Sequence, residues 1–147
     1  DVTIANTGAV TIANTAVETA MVANDAITHD KLEARYTAKA TSTGTGSQNI
    51  DASTASAFLL TGNVATATLT IQNMKLGQVI DIVLSGTLSI AVITLADDFT
   101  TSTINKVGST SLDQSATNVI QLVCVDDTDS AAILLYSINT YASDTTP

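Results

Sequence analysis

The side chains best suited to chemistry in this chain are carboxylates. Asp126-Asp127-Thr128-Asp129 is the densest acidic cluster, and Asp97-Asp98 stands just before Phe99. A hard cation such as Ca²⁺ takes six or more oxygen ligands, so Asp126, Asp127 and Asp129 are candidate metal ligands. The run lacks the Gly and the closing Glu of an EF-hand loop. The competing reading is a solvated hairpin turn whose Asp side chains accept from their own backbone. That reading is preferred for both clusters. His29 is the single histidine. Three copies around an axis could present three imidazoles to a metal, but a lone His at a helix start is more often a solvated residue. Cys124, the single cysteine, lies inside the apolar run Val119-Ile120-Gln121-Leu122-Val123-Cys124-Val125 and reads as a small buried hydrophobe. It stands far along the chain from His29, so no Cys–His pair is expected. No G-x-S-x-G elbow and no phosphate loop is present. Glycoside hydrolysis needs paired carboxylates in a cleft, with aromatics to hold the sugar. Tyr36, Tyr136, Tyr141, Phe58 and Phe99 are too few for that. The chain therefore reads as non-enzymatic, with no cofactor and no metal beyond the weak candidates Asp126, Asp127 and Asp129.

Composition points to the elements that must hold these loops. Thr occurs 26 times in 147 residues, and there is no Trp. Thr, Val and Ile suit pleated surfaces, so β structure is favoured over long helices. Without large aromatics a core loses its biggest burial contributions, so small and branched side chains must fill it, or another chain must cover it. Charged residues are 13% of the chain, about half the usual share. The net charge is −9, and from Ser47 onward nine Asp and two Lys leave −7. Such a surface repels nucleic-acid phosphates and anionic membranes, which excludes nucleic acid as a partner. No apolar stretch reaches the roughly 18 residues needed to span a membrane, so no membrane insertion is expected.

The first part of the chain nearly repeats itself. Val2-Thr3-Ile4-Ala5-Asn6-Thr7 returns as Val10-Thr11-Ile12-Ala13-Asn14-Thr15, and more loosely as Val22-Ala23-Asn24-Asp25-Ala26-Ile27-Thr28. Short repeats cannot bury an apolar face alone and need stacking on further copies or pairing with other chains. An opening within a repeat, at Asp1, is expected for a piece of something longer. Residues 1–13 read as extended. Thr15-Ala16-Val17-Glu18 has the form of a capping box, and Asp30-Lys31-Leu32-Glu33 offers the same signal with Asp as cap. One or two short helical segments are expected over Thr15–Tyr36. Val10, Ile12, Val17, Met21, Ile27 and Leu32 form a narrow apolar seam, adequate around a threefold axis. Residues 1–40 thus read as a stalk or anchor, 41–49 as a linker carrying Thr41-Ser42-Thr43-Gly44-Thr45-Gly46-Ser47, and 50–147 as a head.

The head shows short strands with turn signals between them, at Gly62-Asn63, Asn73–Gly77, Ser85-Gly86, Asp97-Asp98, Gly108-Ser109 and Asp126–Ser130. Candidates are Ala57–Thr61, Ala67–Gln72, Gln78–Ser85, Leu88–Leu95, Asn118–Asp126 and Ala131–Asn139. Spacing near 8–12 residues predicts an antiparallel β-sandwich of jelly-roll type. Ile80, Ile82 and Leu84 make one face of a strand, with Val79 and Val83 on the other. Ile120, Leu122 and Cys124 oppose Val119, Val123 and Val125 in the same way. Strands apolar on both faces need cover on both sides, and a neighbouring subunit is the expected second cover.

Phe58-Leu59-Leu60-Thr61-Gly62-Asn63-Val64, followed by Thr68-Leu69-Thr70-Ile71-Gln72-Asn73-Met74-Lys75-Leu76-Gly77-Gln78, resembles the C-terminal domains of bacteriophage tail fibres. Val79-Ile80-Asp81-Ile82-Val83-Leu84 follows as that pattern requires. The N-terminal units are similar to the small repeats that precede such domains. The chain departs from the pattern at Ala65-Thr66, which is an insertion, and at Leu95–Phe99, where a Trp-bearing turn is common. It departs again at Ile120 in place of an Asp, and at Asp126–Ser130, which lacks the usual Gly. The resemblance implies a homotrimeric appendage or decoration protein of a virion. Its partners would be sister copies, other virion proteins, and a glycan or protein of the host surface. The expected receptor contacts are Asp97, Asp98, Thr100, Thr101, Asp127 and Thr128, in two loops. The alternatives are a capsid decoration or cement protein, and a cellular adhesin or surface-layer module.

Overall fold

The computed structural model describes residues 2–4, 10–12, 22, 27–86 and 88–141. The chain divides into two compact units, Asp1–Glu33 and Ala34–Pro147. In the first unit, strands β1 (Val2–Ile4) and β2 (Val10–Ile12) pair antiparallel, with Val2 opposite Ile12 and Ile4 opposite Val10. The two copies of the repeat thus pair with each other. His29–Lys31 forms a 3-10 turn, and Leu32 returns to extended backbone. Asp30 therefore lies inside that turn and does not cap a helix. Of the proposed seam, Ile27 and Leu32 are exposed, and Val17 and Met21 lie outside the described residues.

The second unit is mainly β. One helical turn, α1 (Ala34–Thr37), precedes β3 (Lys39–Ser42), β4 (Gln48–Asp51), β5 (Ala57–Leu60), β6 (Val64–Gln72), β7 (Val79–Leu84) and β8 (Leu88–Asp97). Then come β9 (Ser102–Lys106), β10 (Thr117–Asp126) and β11 (Ala132–Tyr141). All six expected strands are present, with ends shifted by up to three residues. Residues 41–49, expected as a linker, contain the end of β3, the start of β4 and the bend between them.

The antiparallel expectation is corrected by the pairing. The first sheet has the order β3-β5-β7-β10-β11-β9 and the second β4-β6-β8. β3, β5 and β7 are mutually parallel, and so are β4, β6 and β8. Successive strands alternate between the sheets, so β3–β4, β5–β6 and β7–β8 are three coils of a parallel β-solenoid. β10 then runs antiparallel to β7 and to β11, and β9 closes the far edge parallel to β11. Strand-length alternation is the same in parallel and antiparallel pairs. The direction is decided by the connections, which from β3 to β8 cross to the other sheet, whereas β10 returns as a hairpin to β11.

Both corners of the coil are built from residue types suited to close stacking. At the first corner Gly44, Gly62 and Gly86 lie one above the next. A Cβ on Gly62 would collide with the Gly44 carbonyl oxygen, and one on Gly86 with that of Gly62. Only glycine permits this approach. The amides beside it continue the ladder, with Thr61 N donating to Ser42 O (2.9 Å) and Ser85 N to Leu60 O (3.0 Å). At the second corner Asn73 has φ +57, a left-handed conformation that Asn tolerates. Its Nδ2 donates to Asp51 Oδ1 (2.9 Å) and its backbone N to Asp98 Oδ2 (3.1 Å), so one residue ties three successive coils.

One apolar cluster fills the space between the sheets. Phe58, Leu60, Ile80, Ile82 and Leu84 from the first sheet meet Ile50, Val64, Leu69 and Ile71 from the second. Ile120, Leu122, Cys124 and Leu134 extend the same cluster along β10 and β11. Phe58 is the only buried aromatic among the described residues, so branched aliphatics do the filling.

Gly62→Ala and Gly86→Ala are each expected to destabilise the unit by about 1–3 kcal/mol, the usual cost of overpacking against atoms that cannot move aside. Gly46 has open space around it, so Gly46→Ala is expected to change stability by less than about 0.5 kcal/mol. Urea unfolding of the three variants measures the difference. Equal effects at all three positions would remove the stacked-corner account.

Candidate recognition loops

The two loops expected to contact a receptor lie between β8 and β9 and between β10 and β11. They are joined, although 29 residues separate the groups that meet. Asp129 Oδ1 accepts from Thr100 N (2.9 Å), and its Oδ2 accepts from Thr100 Oγ1 (2.6 Å). Thr101 N donates to Asp129 O (2.9 Å), and Ala132 N to Thr101 O (3.0 Å) as β9 and β11 begin. The parallel β9–β11 pairing brings the two loop ends side by side, and the carboxylate locks them. Thr100, Thr101, Thr128 and Asp129 are exposed on the resulting ridge.

The remaining carboxylates serve the loops themselves. Asp97 Oδ1 accepts from Phe99 N (3.0 Å) and Oδ2 from Ser102 Oγ (2.6 Å), so its side chain braces the turn into β9. Asp98 accepts from the second-corner Asn73. Asp126 Oδ1 accepts from Thr128 N (2.9 Å), an Asx turn of the kind expected from sequence. Asp127 lies 3.8 Å from Lys75 Nζ, and a pair this exposed contributes little to stability. Asp126, Asp127 and Asp129 thus face three different partners. No group of three or more His, Cys, Asp or Glu that could hold a metal occurs among the described residues.

Hydrogen bonds shift several of these acids. The Thr128 amide holds the Asp126 carboxyl below the usual range, and the Thr100 hydroxyl, with the Thr100 amide, does the same for Asp129. The Ser53 hydroxyl and then the Asn73 amide lower Asp51, and the Ser115 hydroxyl lowers Asp113. In the opposite direction, burial pushes the Cys124 thiol up, which disfavours the reactive thiolate. Cys124 is fully enclosed beside the Asp126 carbonyl, 3.3 Å away. His29 is exposed in its 3-10 turn.

Sequence reasoning missed the polar residues that carry the scaffold under the loops. Gln78, 3% exposed, donates to Ala52 O (2.7 Å) and accepts from Lys75 N (3.1 Å) and Arg35 Nη1 (3.4 Å). Gly77 takes φ +76 and donates to Cys124 O (2.8 Å), binding the second corner to β10. Asn118, fully buried, accepts from Asp113 N (2.8 Å) and donates to Asp113 O and Ala116 O, shaping the loop before β10. The signal for the first two was present in the N-M-K-L-G-Q motif.

Each of Asp51, Asp113, Asp126 and Asp129 is more acidic folded than unfolded, so the folded chain binds fewer protons. Stability is then full above the unfolded carboxyl value of about 3.9 and falls as pH drops through the lower folded values. Thermal melts from pH 7 down to pH 2.5 are expected to show a plateau followed by a decline below about pH 4. A midpoint that rises on acidification would contradict the assignment. Asp129→Ala removes the acceptor for both Thr100 donors. Amide exchange at Thr100 and Thr101 should then accelerate, while exchange at Ile82 and Leu122 stays slow.

Comparison with known proteins finds no matching family model, no matching curated protein and no matching solved structure.

Proposed function

We propose that this chain is a structural protein of a bacteriophage particle, a homotrimeric fibre or appendage whose β unit attaches to the host surface through the β8–β9 and β10–β11 loops. The observation that carries the reading is the role of the motif that resembles tail-fibre domains. Its residues are corner and core residues of a stacked coil. Gly62 stacks under Gly86, Asn73 ties three coils, Met74 is 1% exposed, and Gly77 and Gln78 bind the corner to its neighbours. A motif spent on stacking supports a scaffold that holds its shape and presents loops, which is what an external appendage needs.

Two further features support the reading. Asp129 joins the candidate recognition loops into one ridge, so Thr100, Thr101 and Thr128 are presented together on a braced platform. Ile27 and Leu32 are 61% and 46% exposed in the single chain, as residues of a seam closed by sister chains would be. The acids of the ridge are engaged in turns, which supports a binding role over acid–base catalysis.

Light scattering on the full chain is the test of assembly, and the expected mass is three copies. A stable monomer that unfolds cooperatively overturns the trimeric reading. Antibody labelling of intact particles tests the location. Label on projecting fibres is expected, and label spread over the shell would favour a decoration protein.

A further inference from the structure

The two sheets of the second unit do not match in width. The first has six strands and the second three, so the second stops at β8 while the first runs on through β10, β11 and β9. Side chains along that margin are less covered than those one strand inside it. In β6, Leu69 and Ile71 are fully buried. Ile93 and Leu95, beside Ala67 and Leu69 on β8, are only half-buried against the same core. Ile104 on the β9 edge, Phe99 in the loop that carries the chain from β8 to β9, and Leu112 after β9 are half-buried in the same way. Together they form an apolar lip where the second sheet falls short. The backbone of β8 is unpaired along this lip. Asp98 N donates to Ile71 O at 3.1 Å, so the two-residue period of a parallel ladder turns the amides and carbonyls of Ile93, Leu95 and Asp97 away from β6. Among the described residues, no backbone hydrogen bond from a loop reaches those three.

We propose that the free edge of β8 binds an extended segment of a partner protein, which adds to the second sheet as a fourth strand. The proposal goes beyond the reading above and stands or falls without it. The edge itself specifies the chemistry of the occupant. Its outward donors and acceptors recur every second residue, about 6.6 Å, and another strand's backbone repeats at that interval. Side chains on one face of the added strand would close over the lip at Ile104 and Leu112, so the segment is apolar at alternate positions. The other three edges are blunted. β3 and β4 are four residues long and carry Lys39 and Asp51, and β9 is five residues long and ends in Lys106. Short, charged edge strands discourage pairing. At the first coil the corner is also closed by its own side chains, with Gly44 N donating to Ser42 Oγ and Gln48 Nε2 to Gly44 O, each at 3.1 Å. β8 has none of these devices over its length. It runs ten residues, uncharged until Asp97. Its register shift falls between the Val64 and Thr66 pairings and leaves Val92–Asp97 in unbroken register. A second copy would bring only its own β8 as a long uncharged strand, and that pairing would double the mass.

The test uses the full chain and an immobilised array of short peptides in which Val, Ile or Leu alternate with Thr, Ser or Lys. The chain is expected to bind alternating peptides and to ignore peptides of the same composition in non-alternating order. In solution, a bound peptide at saturation is expected to slow amide exchange at Ile93, Leu95 and Asp97 by about tenfold or more, with no change at Ala40 and Thr41 on the β3 edge. N-methylation of alternate residues in that peptide removes the donors of one edge and is expected to abolish binding. Failure of every alternating peptide to bind, binding that survives N-methylation, or protection confined to other strands overturns the proposal. So does a doubled mass of the chain alone with the same three amides protected, which assigns the edge to a second copy.

Discussion

The close approach of backbone to backbone at the Gly44, Gly62 and Gly86 corner is the constraint on which the rest of the second unit depends. A parallel coil keeps its hydrogen-bond ladder only if successive corners stack at the spacing of neighbouring strands, about 4.8 Å. A side chain at Gly62 or Gly86 would hold the coils apart and pull β5 from β3 or β7 from β5. With the corners in contact, Thr61 and Ser85 reach the carbonyls of the coil before them, and the inward side chains of both sheets meet in one layer. The core contains no Trp and one buried aromatic, so it has no large ring to span a gap. Its density comes from Ile, Leu and Val placed at matching heights by the stack.

The opposite corner solves a different problem. There the chain must turn back to the first sheet and also connect to β10, and it does so with polar side chains in place of glycine stacking. Asn73 takes a left-handed conformation and joins Asp51 to Asp98, while the Gln78 side chain fills a buried site with four hydrogen bonds. No buried side-chain nitrogen or oxygen among the described residues lacks a partner. Satisfied buried amides of this kind make the corner specific as well as stable, since any slip of one coil would leave several of them unpaired. This corner is also where the acidic loops begin, so the rigidity of Asn73 and Gln78 passes to Asp98 and from there to the β8–β9 loop.

The distribution of charge and of apolar surface then follows from the two corners. Most of the acids gather in turns, where Asp97, Asp98, Asp113, Asp126 and Asp129 accept from nearby amides or hydroxyls and Asp127 faces Lys75, while Asp81 stands within β7 and accepts from Gln121. A scaffold of this form offers one polar, braced ridge and one apolar face crossed by Asp81 and Gln121.

Much of the β architecture was legible in the chain. Alternation in Val79–Leu84 and in Val119–Cys124 identified inward and outward residues, because a two-residue period survives any pairing direction. Turn residues at Gly62, Asn73, Gly77, Gly86 and Asp126 marked where strands end, because left-handed backbone, close approach and local side-chain bonds are properties of those residue types. The acidic loops were legible as loops, and Asp126 as a self-bonded turn. What the tertiary structure decided was which strands meet and in which direction. Coils that place Lys39 beside Ala57 and Ala57 beside Asp81 differ in length, 18 residues and then 24, so no repeat is visible to a reader of the chain. The union of Thr100 with Asp129 and the stack of Gly44, Gly62 and Gly86 likewise join residues remote in sequence. Local preference acts over a few residues, whereas those contacts exist only once the coils have closed.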